Sequence, residues 1–485
     1  MKLKDLIESI ETQEIIGPET AEILGIAYDS REVKAGWLFV AVSGHQVDGA
    51  QFITEAVSRG APAVVSENQL DLGSGVTHIR VPHARRALAE LANVFYGDLS
   101  RAMTVVGVTG TNGKTTTTFM IRDMLRAGGF TPGLLGTVAY EMGDRSIPAS
   151  RTTPEAPDIH AMFQQMKGFG CDAVVMEVSS HAIALSRVHG IDFNINVFTN
   201  LTRDHLDYHH DMDTYFNVKA QLFQTMEDKH DRKAVINIDD PWGVKLAEVC
   251  GIKADIMTYG FDDRAMVFAH KASVDSKGTR FSVSTPWGDA RVCLQLLGRF
   301  NIHNALAALA AGGLCGVDLK TMVRTLEHIS SIPGRLELVS NRRKKKIFVD
   351  YAHTDDALKN VLTTLREICK GRLLLVFGCG GNRDQGKRLE MGRVAAEQAD
   401  YSFVTSDNPR NEDPGTIVAD IMKGFEQQDD FEVVLDRREA IEKAVRSMGR
   451  KDILLIAGKG HETYQEFEGT IVPFDDREVV REILG

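Results

Sequence analysis

The segment Thr109-Gly110-Thr111-Asn112-Gly113-Lys114-Thr115-Thr116 sits between an apolar run, 103–108, and a stretch with helical spacing, 118–125. Strand, glycine-containing loop and helix in that order make a phosphate-binding unit. The glycines let backbone N–H groups close around phosphate oxygens, the helix N-terminus adds partial positive charge, Lys114 adds a full one, and the Thr115 hydroxyl suits Mg²⁺. The chain is therefore expected to bind ATP or a relative through Gly110, Thr111, Asn112, Gly113, Lys114, Thr115 and Thr116. One detail departs from the common phosphate loop, which places glycine five residues before Gly113. That position is Val108, and the nearest glycines are Gly107 and Gly110.

The rest of the chain alternates apolar strands with helices around this loop. In 1–98 the pattern predicts strands at 37–42 and 63–66 and helices at 52–59 and 84–95, a small α/β domain. Asp29-Ser30-Arg31 lies there in a polar turn that could bind a ligand or simply cap itself. In 99–332 the runs 172–178, 192–199 and 233–238 read as buried strands of a mostly parallel sheet. Turn signals at 276–278 and 286–288 suggest an antiparallel addition within 268–297, and helices are expected at 301–314 and 319–329. Ser331-Ile332-Pro333-Gly334 marks a boundary. From 333 to 485, strands at 347–350, 373–378, 401–405, 431–435 and 452–457 alternate with helices as a Rossmann-like doubly wound sheet. The basic run 342–346 is expected to be a solvated hairpin or loop.

A length of 485 residues fits about three domains. The net charge of −11 and isoelectric point near 5.8 argue against general nucleic-acid or anionic-membrane binding. Six scattered cysteines without CxxC spacing, and an N-terminus unlike a signal peptide, point to the cytoplasm. No run approaches the ~18 apolar residues of a membrane span, so a soluble protein is expected. A monomer is the expected state.

Glu177 closes the strand 173–177 and is followed by Ser179-Ser180-His181. A carboxylate at that place can hold Mg²⁺ near phosphates, or merely cap a turn. His205, His209 and His210 invite a zinc reading, but their spacing fits no common zinc motif and thiolates are lacking. One histidine beside Mg²⁺ is the better fit, with His209 and His210 expected at the surface. Lys219 lies among apolar neighbours in the helical stretch 215–223. A free lysine is a poor metal ligand, whereas CO₂ would convert it to an anionic carbamate; snorkelling to solvent is the ordinary alternative.

Gly110-Thr111-Asn112-Gly113-Lys114-Thr115, 177–181, 200–207 and 215–219 together resemble the Mur ligase family. So do Gly298-Arg299-Phe300-Asn301-Ile302-His303-Asn304, Gly334-Arg335-Leu336-Glu337 and Asp350-Tyr351-Ala352-His353. The resemblance spans the chain and accounts for the irregular loop, which that family spells GTNGKT or GTNGKS. It implies three domains binding a UDP-sugar peptide, ATP and an incoming amino acid, and an ATP-driven amide ligation. It further implies Thr115, Glu177, His205 and carbamylated Lys219 around Mg²⁺, with Asn301, Arg335 and Asp350 at the nucleotide. Ser30, Thr152, Thr153, Ser179 and Arg187 would contact UDP-N-acetylmuramoyl-L-alanyl-D-glutamate. Leu185 is apolar where some relatives carry glutamine.

Asp407-Asn408-Pro409-Arg410, after the strand 401–405, resembles the motif of members that add meso-2,6-diaminopimelate; lysine-adding relatives lack the arginine. Diaminopimelate is lysine with a second carboxylate, for which a guanidinium is a two-pronged partner. Arg383, Gly458 and Glu462 match further positions for this amino acid. Gly378-Cys379-Gly380 is not a dinucleotide fingerprint, because its third glycine would fall at Arg383. The alternatives are a lysine-adding ligase, a folylpolyglutamate synthase-like ligase and a nucleotide-switch or motor ATPase.

Overall fold

The computed structural model describes residues 1–44, 48–73, 75–224, 232–250, 255–426 and 429–485; the Cys250 side chain is outside this set. The protein is α/β throughout. It divides into two compact units: 1–109 with 129–196 and 221–232, and 110–128 with 197–220 and 233–485.

The first unit begins with a five-stranded sheet in the order Glu14–Ile16, Thr77–Arg80, Ala63–Ser66, Trp37–Val40, Gly25–Ala27. Its pairs are parallel except the first. The expected strands 37–42 and 63–66 form as Trp37–Val40 and Ala63–Ser66, and the helix Ala84–Tyr96 stops where Gly97 takes φ +87°. The expected helix 52–59 begins as a 3₁₀ turn, Gly49–Phe52, and continues as Ile53–Ser58. The same unit holds Thr104–Thr109, which pairs in parallel with Ala173–Glu177, itself parallel to Pro132–Leu135. Ala139–Met142 and Arg145–Pro148 extend that sheet antiparallel.

In the second unit Lys233–Asn237, Asp255–Gly260 and Val267–Asp275 run parallel, and Gly278–Thr285 and Gly288–Leu294 add the expected antiparallel piece. The helices Arg299–Leu314 and Leu319–His328 pack on Lys114–Ala127, the helix that follows the phosphate loop.

A second sheet in this unit runs Glu337–Leu338, Lys346–Asp350, Ile453–Ala457, Leu373–Phe377, Tyr401–Val404, Phe431–Val433, parallel except for the first pair. Alternation along its strands explains why it is covered on both faces. Phe348, Leu373, Leu375, Leu455 and Ala457 pack with helices Asp355–Ile368, Gly386–Gln398 and Pro414–Met422. Ile347, Val349, Leu374, Leu454 and Ile456 pack instead with Arg437–Ser447 and Asp476–Leu484. This is the doubly wound arrangement expected for 333–485. The basic run 342–346 forms the exposed hairpin ahead of Lys346–Asp350, though Lys345 folds back to the carbonyls of Val445 and Met448. No helix among the described residues is long and apolar enough to cross a membrane.

Candidate active site

The phosphate loop is held by the end of the strand Ile195–Phe198. Thr111 N donates to Asn200 O (2.9 Å), and Asn112 exchanges bonds with Asn200: its N–H donates to Oδ1 (2.9 Å) and its carbonyl accepts from Nδ2 (3.1 Å). The Thr199 hydroxyl also donates to Asn112 O at 2.7 Å. Two loop amides are thus spent on building the loop. Those of the first turn of Lys114–Ala127 point out of the helix N-terminus, where the dipole favours phosphate. Gly110 at φ +143° and Gly113 at φ +87° adopt backbone that side chains avoid, and a Cβ on them would overlap Thr199 Oγ1 and Asn304 Oδ1 respectively. Asn304 joins Asn301, whose Oδ1 it meets at 3.0 Å.

Two lysines converge on one carbonyl. Gly110 O accepts from Lys114 Nζ (2.9 Å) and from Lys219 Nζ (3.1 Å). Lys219 is 1 % exposed on the helix Met212–Gln224, with its Nζ 4.7 Å from the centre of the Tyr215 ring, so it does not snorkel. Burial, and then the Lys114 charge, push its amine well below the usual lysine range, against the pull of Asp204. An ammonium there would repel a divalent cation. An oxygen-bearing carbamate made from its amine would not, so of the two forms only the carbamate suits a Mg²⁺ site. Among the described residues no three His, Cys, Asp or Glu side chains form a metal-holding group by themselves.

Tyr215 organises the surroundings, its hydroxyl 3.2 Å from Thr111 Oγ1. His209 stacks on its ring (4.9 Å, 23°) and is 2 % exposed. The expectation of a surface His209 is therefore wrong: an imidazole can bury an aromatic face, and Tyr215 supplies the partner. His210 is exposed as expected. His205 lies at φ +54° with Nε2 3.3 Å from Asp204 Oδ2. Burial alone would raise Asp204, but His205, His353 and Lys387 outweigh it and hold the carboxyl at about 2. His353 is itself pushed down to about 4 by burial and the Lys387 charge.

Residues from beyond 333 close on the loop. Arg335 donates to Thr115 Oγ1 (2.8 Å) and lies over the Tyr351 ring, while Asp350 accepts from the amides of Leu336 and Ala352. Asp356, at the start of Asp355–Ile368, accepts from Asn112 Nδ2 at 2.9 Å. Asp356, Lys387 and Asn304 were not singled out from sequence. Asn304 lay in a quoted motif; Asp356 and Lys387 carried no local signal.

In the first unit Glu177 is oriented by Thr137, whose amide donates to Oε1 (2.8 Å) and whose hydroxyl donates to Oε2 (3.0 Å). Gly136 leaves room for it, since a Cβ there would fall 2.6 Å from Oε1. Thr152, Thr153, Ser179 and Arg187 gather here. Thr152 Oγ1 lies 3.1 Å from Thr137 Oγ1, Thr153 Oγ1 accepts from Ser179 N (3.1 Å), and Arg187 donates to Thr153 O (3.0 Å). Arg85, Arg151 and Arg187 all pair with Glu155, leaving excess positive charge beside these hydroxyls. Ser30 stands in the N-terminal sheet region and donates to Glu55 at 2.7 Å.

Most of the residues expected at the incoming amino acid, Asp407 to Arg410, Gly458 and Glu462, meet at the C-terminal ends of the parallel strands, where ligands of such sheets bind. Arg410 donates to Gly381 O (2.8 Å) and pairs with Glu466 (3.2 Å). Asn408 Nδ2 donates to Glu462 (2.9 Å), and the fully buried Lys459 donates to both Asn408 Oδ1 and Glu462 (3.0 Å each). Lys459 lies between Gly458 and Glu462, yet nothing in the sequence marked it as an internal ion-pair partner. Gly458, at φ +113°, lies where a Cβ would overlap the Asp407 carboxylate. Pro409 is buried between these contacts. Arg383 is exposed and lines an open cavity of about 620 Å³ with Leu206, Asp207, Asn382 and Glu412.

A phosphate loop with a buried lysine beside it, followed by a doubly wound sheet, is the arrangement expected of an ATP-dependent amide-forming ligase. Family descriptions agree along the chain: "Mur ligase family, catalytic domain" at 22–96, "Mur ligase middle domain" at 108–312 and "Mur ligase, glutamate ligase domain" at 334–460. The UDP-N-acetylmuramoyl-L-alanyl-D-glutamate--2,6-diaminopimelate ligase of Syntrophomonas wolfei is 43% identical over 486 residues, covering 100% of this chain and 99% of that protein. The protein of the same name from Geobacter metallireducens is 44% identical over 500 residues, with 99% and 98% covered. A solved structure of a ligase of that name superposes with a TM-score of 0.70 at 32% identity, covering 100% of this chain and 98% of the other. The chain belongs to the Mur ligase family of ATP-dependent, amide-forming ligases.

Proposed function

We propose that this protein joins meso-2,6-diaminopimelate to the D-glutamate of UDP-N-acetylmuramoyl-L-alanyl-D-glutamate in the cytoplasm, as a monomer, for peptidoglycan synthesis. The carrying observation is Arg410, fixed by Gly381 O and Glu466 beside the Asp407–Asn408–Glu462 cluster at the strand ends. Its guanidinium suits the second carboxylate of diaminopimelate, which L-lysine lacks. Relatives named for that reaction across the full chain support the same reading. The working boundaries are 1–98 for the UDP-sugar peptide, 99–332 for ATP and 333–485 for the amino acid.

The substrate carboxylate attacks the γ-phosphorus of ATP, the bond to the β-phosphate oxygen breaks, and ADP leaves. The amine then attacks the acyl phosphate, loses a proton and expels phosphate. Lys114 and the first-turn amides neutralise charge on the transferring phosphoryl group, with Asn301, Arg335 and Asp350 holding the nucleotide. Thr115, Glu177, His205 and Lys219 are the residues proposed to hold Mg²⁺, which when bound supplies further neutralisation. Lys219 acts there as the carbamate: its neutral amine adds to CO₂ and releases a proton. Ser30, Thr152, Thr153, Ser179 and Arg187 orient the UDP-sugar dipeptide. Arg383, Asp407, Asn408, Pro409, Arg410, Gly458 and Glu462 orient the incoming amine, a proximity effect. Mass spectrometry of the product tests the proposal. A UDP-linked product heavier by one diaminopimelate residue, formed only with ATP, is expected; ATP hydrolysis without such a product would refute it.

A further inference from the structure

Behind the proposed amino-acid site lies an ion pair that ligation chemistry does not use. Arg437 and Asp476 have side chains with 0 % exposure, joined by two 2.8 Å bonds from Nε and Nη2 to the two carboxylate oxygens. The guanidinium also donates to Ala457 O (3.0 Å) and Ser406 O (3.4 Å). Those carbonyls immediately precede Gly458 and Asp407, so one buried side chain ties together the roots of the two loops that carry Asp407, Asn408, Arg410, Gly458 and Glu462.

Stability of the helix does not explain Arg437. It is the first residue of Arg437–Ser447, where the helix dipole disfavours a cation, and Asp436 already caps that helix by accepting from Glu439 N. A fully buried ion pair is also a weak stabiliser, often matched or surpassed by apolar residues of the same volume. What the guanidinium supplies, and an apolar side chain could not, is a set of fixed donors to two backbone carbonyls. It also places positive charge within reach of Asp407 and Glu462: burial disfavours the cation, yet Asp476, Asp407 and Glu462 together raise its pKa.

We propose that Arg437, held by Asp476, is a positioning residue for the incoming amino acid, setting the spacing and charge of the loops that begin at Asp407 and Gly458. The inference rests on the proposed amino-acid site, so wild-type turnover is measured first. Absence of ligation with diaminopimelate refutes that site reading, and the comparison below is then made with whichever amino acid is used. The test is the double variant Arg437→Gln/Asp476→Asn, which removes both charges without leaving either unpaired. The expected result is a folded protein whose KM for the amino acid rises roughly tenfold or more, with the KM for ATP changed less than about twofold. Arg437→Lys, which keeps the charge but not the forked donors, should recover part of the loss. An unchanged amino-acid KM, or equal rises in both KM values, would overturn the proposal. So would failure of both variants to fold, since the pair would then be a folding element.

Discussion

Gly458→Ala tests the amino-acid site without removing any group that meets substrate. Gly458 holds φ +113°, and an added Cβ would overlap Asp407 Oδ2. Two costs follow. Forcing a side chain into that backbone region costs ~1–3 kcal/mol, which should appear as a lower denaturant midpoint. Relieving the overlap requires the Asp407 carboxylate to retreat by roughly 1 Å, a displacement that costs about 10²-fold in rate when it falls on a positioning group. That corresponds to ~2.7 kcal/mol in kcat/KM. Asp407 can retreat only against its own loop, because its Oδ1 accepts from Asn408 N at 2.8 Å and its carbonyl accepts from Gln465 Nε2 at 2.9 Å. The loss should therefore fall on diaminopimelate and leave the KM for ATP nearly constant. Urea unfolding followed by circular dichroism, with steady-state ADP release at varied diaminopimelate, measures both. A stability loss below ~0.5 kcal/mol together with unchanged kinetics would refute the reasoning.

Arg410→Ala should lower kcat/KM for diaminopimelate by ~2 kcal/mol, about 30-fold; the low end of the ~2–5 range applies because Arg410 and Glu466 are 23% and 31% exposed. Initial-rate kinetics with lysine as control would show the loss confined to the two-carboxylate substrate. Lys219→Ala should abolish ligation, and added short-chain carboxylates should restore part of it; restoration by chloride at equal ionic strength would remove the carbamate role. Lys219 also predicts a pH dependence. Its folded amine is depressed below 10.5, so the unfolded chain binds more protons between those two values, and stability in CO₂-free buffer should rise with pH across that window. Thermal melts of Lys219→Met should lack this rise.

Local signals carried much of the architecture. The phosphate loop was visible from its glycines and lysine, and the strand ending in Glu177, Leu373–Phe377 and Ile453–Ala457 as unbroken apolar runs of at least four residues. Lys346–Asp350, Tyr401–Val404 and Phe431–Val433 are shorter or interrupted and were read from their alternation with helices. Gly25–Ala27 and Thr77–Arg80 were not: the first has three residues, and the second reads as a polar stretch until its neighbours bury it. Site residues separated in the same way. Lys219 stood out as a cation among apolar positions, and Asp407 to Arg410 as an unusual turn at a strand end. His209 was misplaced because its burial depends on stacking against Tyr215, a contact made by folding rather than by its own helix. The contact of Asp356 with the phosphate loop and the Arg437–Asp476 pair join residues 244 and 39 positions apart, so no periodicity could reveal them.

The most direct test of the account is the ratio of kcat/KM for meso-2,6-diaminopimelate to that for L-lysine, measured as ADP release with UDP-N-acetylmuramoyl-L-alanyl-D-glutamate and ATP. Because the site is proposed to pair a guanidinium with a carboxylate that lysine lacks, the ratio should exceed roughly 10², with no release when either cosubstrate is omitted. A ratio near one, or ADP release independent of the amino acid, would contradict it.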